Sequence, residues 1–389
     1  MKHATPWQIR WHRAMADIDQ TDWDRLALPL ATPLLEWEWL HQLEASGSIA
    51  PGTGWHPRHL TVWQGDRLVG AAPFYIKTHS DGEFVYDQWW ARWASDAGIA
   101  YYPKLIGMSP VTPAVGYRFL LDPSVDGAAV QEAMLTAVDA FCAKTGLSGS
   151  HLLFVDPEWA ATLPVGRFFA WHHQSFLWRN PGYATFEDYL QPFKSSQRRN
   201  IRRECRQMAH MGITIRALSG DAIAPAMAER MYHFYLNTNA QFGPWAARYL
   251  NRTFFKAMFA HCRQRLLLIA AYHPSSDEPL ALSLLLRKGP QLIGRYWGCA
   301  HTIKDLHFNM CFYAPIQWAI DNGIESFDPG AGSPHKIYRG FTAVANTSLH
   351  RFYEPHLRLL FGRFIGDINQ VEQANIEALN EQLPYAAAR

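Results

Sequence analysis

Apolar positions along the chain fall into strand-like runs, and the same order of runs comes twice. His59–Trp63 and Leu68–Lys77 alternate or run apolar on either side of Gln64-Gly65-Asp66, the pattern of a hairpin with a tight glycine turn. Leu266–Tyr272 and Leu280–Lys288 flank Pro274-Ser275-Ser276-Asp277-Glu278-Pro279 in the same way, so that GAAPFYIK (70–77) and ALSLLLRK (281–288) sit at matching places. Each hairpin leads into an aromatic-rich stretch read as a strand, EFVYDQWW (83–90) and LIGRYWG (292–298). Each half then closes on a helix and a strand. These are Ala128–Lys144 with His151–Asp156, and Phe308–Asn322 with Ile324–Asp328. Gly146 and Gly323 stand where a helix stop is expected. The pattern predicts a mixed α/β (α+β) chain of two duplicated domains, 1–180 and 181–389, divided at Asn180-Pro181-Gly182. A repeat this long excludes a solenoid. The second domain is expected to carry a basic helix over 193–211 and a C-terminal helix over Val371–Leu383.

Composition narrows the class. Of 389 residues, 48% are hydrophobic and 18% charged, a globular balance that can bury a core without staples. A formal net charge of +2 excludes a generally basic nucleic-acid coat protein but not a local basic patch. The five cysteines, at 142, 205, 262, 299 and 311, form no CxxC, so reduced thiols are expected and neither a disulfide nor a metal site. His172-His173 lacks ligand partners at metal-like spacing. The longest clean aliphatic run, Leu266–Ala271, is too short to span a bilayer, and the N-terminus lacks the apolar stretch of a secretory signal. A cytoplasmic protein without a transmembrane segment is expected.

Three segments could carry chemistry. In 194–206, Lys194, Arg198, Arg199, Arg202, Arg203 and Arg206 face one acid, Glu204, a local balance of 6 − 1 = +5. On a helix, Arg198, Arg202 and Arg206 form one stripe and Arg199 and Arg203 the next, while Ile201, Cys205 and Met208 form an apolar docking face. Such a row of guanidinium groups suits phosphate oxygens, although a plain solvated face has the same composition. The second segment, 327–341, is a Gly/Pro-rich loop at a strand end that gathers Asp328, His335, Lys336, Tyr338 and Arg339. There Asp328 or His335 could take a proton from an amine, and Lys336 or Arg339 could hold an anion. A charged surface turn is the bland alternative. In the third, Tyr101, Tyr102 and Lys104 precede a Pro-rich run and suit a cleft wall or ordinary packing equally. Arg295, Tyr296 and Trp297 are further cleft-lining candidates. Walker, G-x-S-x-G and dinucleotide G-x-G-x-x-G motifs are absent.

These residues bring the chain close to a known family. It resembles the FemAB-like proteins of the GNAT acyltransferase superfamily, in the branch labelled peptidoglycan biosynthesis/recognition. The likeness rests on GWHPRHL (54–60), GAAPFYIKTHSDGEFVYD (70–87), YYPKL (101–105), the TP-x-x-G of 112–116, RRNIRRE (198–204), RYWGCA (295–300), LHF (306–308) and the HK-x-x-RGF of 335–341. It implies tandem GNAT-like domains, each a mixed central sheet flanked by helices. It also implies transfer of an acyl or aminoacyl group onto an amine, with a peptidoglycan precursor as acceptor. The 330–336 loop departs from the branch's usual GAQGEHK, reading Gly330-Ala331-Gly332-Ser333-Pro334-His335-Lys336, and Asn309 stands where Glu commonly follows LHF. With those carboxylates gone, either another group such as Asp328 or His335 is the base, or the activity is altered or lost.

The donor stays open between aminoacyl-tRNA and acetyl-CoA, with no tightly bound cofactor expected. The stretch 298–310, GCAHTIKDLHFNM, lacks the glycine loop that cradles a pyrophosphate in ordinary acetyl-CoA enzymes. The basic helix instead suits a polyanionic donor such as tRNA. Asp328, His335 and Lys336 are the expected catalytic groups. Lys104, Tyr102, Arg295, Tyr296, Trp297 and Arg339 are the expected substrate contacts for a peptide- or amino-sugar-linked amine. Arg198, Arg199, Arg202, Arg203 and Arg206 are the expected phosphate or tRNA contacts. Two alternatives accompany this reading: a non-catalytic module that binds a peptidoglycan precursor or RNA, and a divergent N-acetyltransferase.

Overall fold

A computed structural model describes residues 7–243, 246–330, 332 and 334–386. Two compact units emerge: Met1–His173 with Ala345–Gln373, and Gln174–Val344 with Ala374–Arg389. The chain passes between them within strand Phe169–Arg179, strand Thr342–Phe352 and helix Pro355–Asn380. Asn180–Gly182 lies just past the first passage. The segment 345–373, expected in the second domain, belongs to the first unit because its apolar residues are spent there. Leu349 pairs with Leu152, and Phe361 packs on Trp90, Trp171 and His350.

The first unit holds a four-stranded antiparallel sheet in the order Gln8–His12, His59–Gln64, Arg67–Ala72, Leu120–Leu121. Its other strands run in the order Thr342–Phe352, Gly149–Leu152, Lys104–Gly107, Tyr75–Lys77, Trp55–Pro57. The expected hairpin is present, but the run 68–77 is divided between the two sets at Pro73-Phe74, where proline offers no N–H to a ladder. Helix Gly127–Thr145 opens on Asp126, whose side chain accepts the Ala129 N–H, and closes at Gly146 with φ 68°. The stretch 83–90 is not a strand. Glu83 and Asp87 turn inward to Lys104, and a helix, Gln88–Asp96, starts immediately after Asp87.

In the second unit the order is Thr214–Ser219, Leu266–Tyr272, Pro279–Lys288, Gln291–Cys299, Ser326–Asp328, then the later part of Phe169–Arg179. All pairings are antiparallel except that between Gln291–Cys299 and Ser326–Asp328. Leu267, Ile269, Leu285 and Leu292 are fully buried under helix Ser195–His210 and the helical run that starts at Leu306. Each such side chain contributes about 1.5–3 kcal/mol of burial. The helix expected over Phe308–Asn322 begins at Leu306, contains a π segment Asn309–Tyr313 and ends at Asp321. The tail helix begins at Pro355 rather than Val371. Both units are mixed α/β, with sheets flanked by helices. All five cysteines are free. No helix among the described residues is long and apolar enough to cross a membrane.

Candidate active site

The 327–341 segment and the basic helix meet in the second unit. Strand Ser326–Asp328 runs parallel to Gln291–Cys299 only as far as Ile293, which pairs with Asp328. Beyond that point the longer strand bulges: Leu284 pairs with Tyr296 and Leu285 with Gly294, leaving Arg295 as the extra residue. The turn after Asp328 comes so close that a Cβ at Gly294 would lie 3.1 Å from the Pro329 carbonyl, and one at Gly330 would lie 2.9 Å from the Gly294 oxygen. Gly330 also has φ 79°, so two requirements select glycine there.

Asp328 Oδ1 accepts the Gly330 N–H at 2.8 Å. Burial raises its carboxyl to about 6, although that N–H, Lys336 and Arg295 all favour the anion. Lys336 lies on the 3-10 turn Pro334–Arg339 and is 3% exposed. Its Nζ donates to the Gly330 carbonyl at 2.6 Å and sits 5.3 Å from the Phe176 ring. Burial lowers the amine to about 8, against the pull of Asp328 and Cys311. His335 faces Phe308, Phe312 and His307 at 5.6, 6.0 and 6.1 Å between ring centres. Burial, Arg339 and Lys336 lower its pKa, so it is neutral at pH 7. Trp297 closes this aromatic group, 4.8 Å from His307.

The turn brings Asp328, His335, Lys336 and Arg339 together, and Trp297 joins them. Other expected residues lie elsewhere. Arg339 is 5% exposed and stacked 3.6 Å over Phe308. It donates to the His335 carbonyl at 3.0 Å and to the Glu204 carboxylate at 3.2 Å, so its charge is answered within the protein and it braces the turn. Tyr296 packs on Tyr235 and Phe255, away from the turn, and its hydroxyl receives Arg295 at 2.7 Å. Lys104 and Tyr102 belong to the first unit. The Lys104 ammonium is 1% exposed and donates to Ser80, Glu83 and Asp87, while the Tyr102 hydroxyl meets Ser80 at 2.7 Å. Lys104 is therefore the centre of a buried ion cluster rather than part of a cleft wall. Ala331 and Ser333 of the loop lie outside the described residues.

The arginine row divides in two. Arg198 donates to the Phe193 carbonyl at 2.5 Å, and Arg202 pairs with Glu187 at 2.5 Å. Arg199, Arg203 and Arg206 are exposed and make no ion pair with a described residue. Ile201 and Met208 form the buried face, as expected, and Glu204 joins them there. Sequence reasoning missed Glu204, which was counted only as an exception to the basic charge. Its spacing of three from Ile201 and four from Met208 was the available signal. Asn309 donates its amide to the Glu204 and Asp305 carbonyls at 3.0 and 2.9 Å, so it satisfies backbone acceptors of two elements. The edge of Gln291–Cys299 that Ser326–Asp328 does not reach is covered by helix Met227–Ala240, with Thr238 and Asn237 donating to the Trp297 and Cys299 carbonyls at 2.8 and 3.3 Å. No group of three His, Cys, Asp or Glu side chains among the described residues could hold a metal.

These features define a two-unit α/β protein whose second unit carries a lysine-bearing glycine turn braced by a basic helix. It belongs to the FemAB-like family, described as peptidoglycan biosynthesis/recognition, whose model matches residues 14–387. No curated protein matches the chain. Among solved structures it is similar to FemX at TM-score 0.55 and 11% identity, covering 92% of this chain and all (100%) of that one. It is also similar to the C-terminal domain of a protein described as a lysylphosphatidylglycerol synthetase from Agrobacterium fabrum, at TM-score 0.51 and 9% identity, with 90% and 95% covered. The corresponding values for L-PGS from Bacillus licheniformis are 0.50, 9%, 91% and 97%. At these identities the likeness is one of fold.

Proposed function

We propose that this protein forms an amide by transferring an aminoacyl group from an activated ester to an amine of a peptidoglycan precursor. The observation that carries this reading is the convergence of Lys336 and Asp328 on Gly330 in one glycine turn, the amine on its carbonyl and the carboxylate on its N–H. The acceptor nitrogen attacks the ester carbonyl, forming the C–N bond and an oxyanion. The Lys336 ammonium stabilises that charge in a site of low dielectric. The attacking nitrogen gives up its proton to Asp328 or to the neutral His335 imidazole. The C–O bond then breaks, and the leaving alkoxide takes up that proton from the same Asp328 or His335, which restores the base. Family membership supports the acceptor class. The exposed Arg199, Arg203 and Arg206 support a polyanionic donor, for which aminoacyl-tRNA is the fitting chemistry.

The test is transfer from charged tRNA to a muramyl-pentapeptide precursor by the purified chain, beside Lys336→Ala. Loss of about 100-fold or more in turnover, with little change in melting temperature, is expected. Full activity in that variant would remove Lys336 from the site. Saturable binding of precursor without turnover would make the protein a recognition module. A saturable thermal shift with acetyl-CoA, absent with free CoA, would move the donor to a thioester.

A further inference from the structure

Three elements of the second unit converge on one carboxylate. Glu204 lies on helix Ser195–His210 and is 8% exposed. It accepts the hydroxyl of Tyr313, the last residue of the π segment Asn309–Tyr313. It also accepts Arg339 Nη2, at 3.2 Å on Oε2 and 3.4 Å on Oε1. Its own carbonyl receives Asn309 Nδ2 at 3.0 Å. A π segment adds one residue to a helical turn and marks functional sites more often than chance. Here its first and last residues, Asn309 and Tyr313, both reach Glu204. From Arg339 the path continues to the turn itself, because Nη1 holds the His335 carbonyl at 3.0 Å. Two further bonds tie the turn to neighbouring helices: Gln197 Nε2 to the Tyr338 carbonyl at 2.7 Å, and the Tyr189 hydroxyl to the Arg339 carbonyl at 2.9 Å. Nothing in the proposed chemistry uses Glu204 directly.

We infer that Glu204 is the positioning residue of the lysine turn: by fixing the Arg339 guanidinium, it holds the His335–Lys336 backbone where the Lys336 amine meets the Gly330 carbonyl. The inference rests on the reading of Lys336 as an active-site group, but it concerns the placement of that amine and can be measured without a donor. The physical argument is one of charge. A guanidinium 5% exposed needs an anion, and among the described residues Glu204 is its carboxylate. Nη2 is shared between the two carboxylate oxygens while Nη1 donates to the His335 carbonyl, so the guanidinium is held at two nitrogens, one on the helix and one on the turn.

The experiment reads Lys336 itself. Acylation by acetic anhydride is followed by peptide mass spectrometry across pH, with the exposed Lys144 as internal reference. The groups that set the Lys336 response are its own burial, Asp328 and Cys311, with His335 and His307 also within its field. The unsubstituted protein should titrate at Lys336 near 8. In Glu204→Gln and in Arg339→Lys the midpoint should rise by about one unit or more toward the ordinary lysine value, as the amine gains water. Ile320→Val, a core change in the same unit, should lower the melting temperature and leave the midpoint where it was. A midpoint unmoved in Glu204→Gln and Arg339→Lys would reduce Glu204 to a fold-stabilising residue and overturn the inference. Should Glu204→Gln fail to fold, Arg339→Lys decides alone, because it keeps the charge beside Glu204 while removing the second arm. If Lys336→Ala retains full transfer while the midpoint still moves in the Glu204 variant, the functional reading fails and the positioning stands.

Discussion

Two of the buried lysines, Lys104 of the first unit and Lys336 of the second, show what decides whether an ammonium is structural or available for chemistry. Lys104 is 1% exposed and Lys336 is 3% exposed, so desolvation works against both charges. At Lys104 that penalty is more than offset by Asp87 and Glu83, at 2.5 and 2.8 Å, and the proton is held well above the ordinary lysine value. At Lys336 the oxygen in contact is a carbonyl, with Asp328 as the nearby carboxylate, and burial prevails. The number of carboxylates in contact, not the depth of burial, separates the two. The carboxyl groups reflect the same balance. Burial lifts Glu83 to about 7 even beside Lys104, whereas Asp87, with three side-chain hydrogen bonds, stays below its usual range.

The largest expected effect would break this comparison if it failed to appear. Lys104→Ala strands two buried carboxylates, of which Glu83 Oε1 and Asp87 Oδ1 already lack a hydrogen-bond partner. Removing one member of a buried charge cluster costs roughly 3–5 kcal/mol. Lys336→Ala loses one hydrogen bond from a group whose proton was already disfavoured, at about 1 kcal/mol or less. Urea unfolding of the two variants measures the difference. Equal losses would mean that the Lys104 cluster is not a structural centre.

A smaller effect lies in the pH dependence. The Lys336 amine titrates near 8 when folded, against 10.5 ordinarily. Between those values the unfolded chain binds the extra proton, so this group makes stability rise with pH. Asp328 does the opposite: near 6 when folded against 3.8, it makes stability fall as pH rises through that window. Lys336→Met should therefore flatten the alkaline rise by no more than about 3 kcal/mol, read from unfolding at pH values on both sides of the window. Turnover should show the same two groups, climbing as Asp328 loses its proton near 6 and falling as Lys336 loses its own near 8. A profile flat from 5 to 9 would detach both from catalysis.

What the sequence revealed follows the reach of its signals. Strands Leu266–Tyr272 and Gln291–Cys299 were legible because buried runs of Leu and Ile carry a local pattern, and the helix stops at Gly146 and Gly323 because both adopt φ near 68°. The lysine turn was legible because strand, glycine and charge lie in one stretch. The rest depended on partners distant in sequence. Phe361 is core only because Trp90 and Trp171 await it, and Asp87 ends a loop rather than a strand because Lys104 draws its side chain inward. Arg295 is exceptional only in register against Leu284 and Leu285. Glu204 looked like an impurity in a basic helix until Arg339 met it.

The arginine helix repeats the lysine comparison on an exposed surface, where the effects are smallest. Arg202 is paired with Glu187, at 42% and 61% side-chain exposure, and such a pair contributes about 0–1 kcal/mol. Arg202→Ala should shift stability by about 0.5 kcal/mol or less and leave polyanion binding nearly intact, because its charge is already answered. Arg199, Arg203 and Arg206 have no such answer within the described residues, so their counterions are free to be displaced by phosphate. Replacing all three with Ala should lower the slope of log affinity against log salt for a single-stranded RNA by about 2, at roughly 0.7 per phosphate contact. Fluorescence anisotropy at several salt concentrations separates the two variants. Equal slopes in both would show that pairing on this helix does not govern what it binds, and the rule drawn from the two lysines would stop at the protein interior.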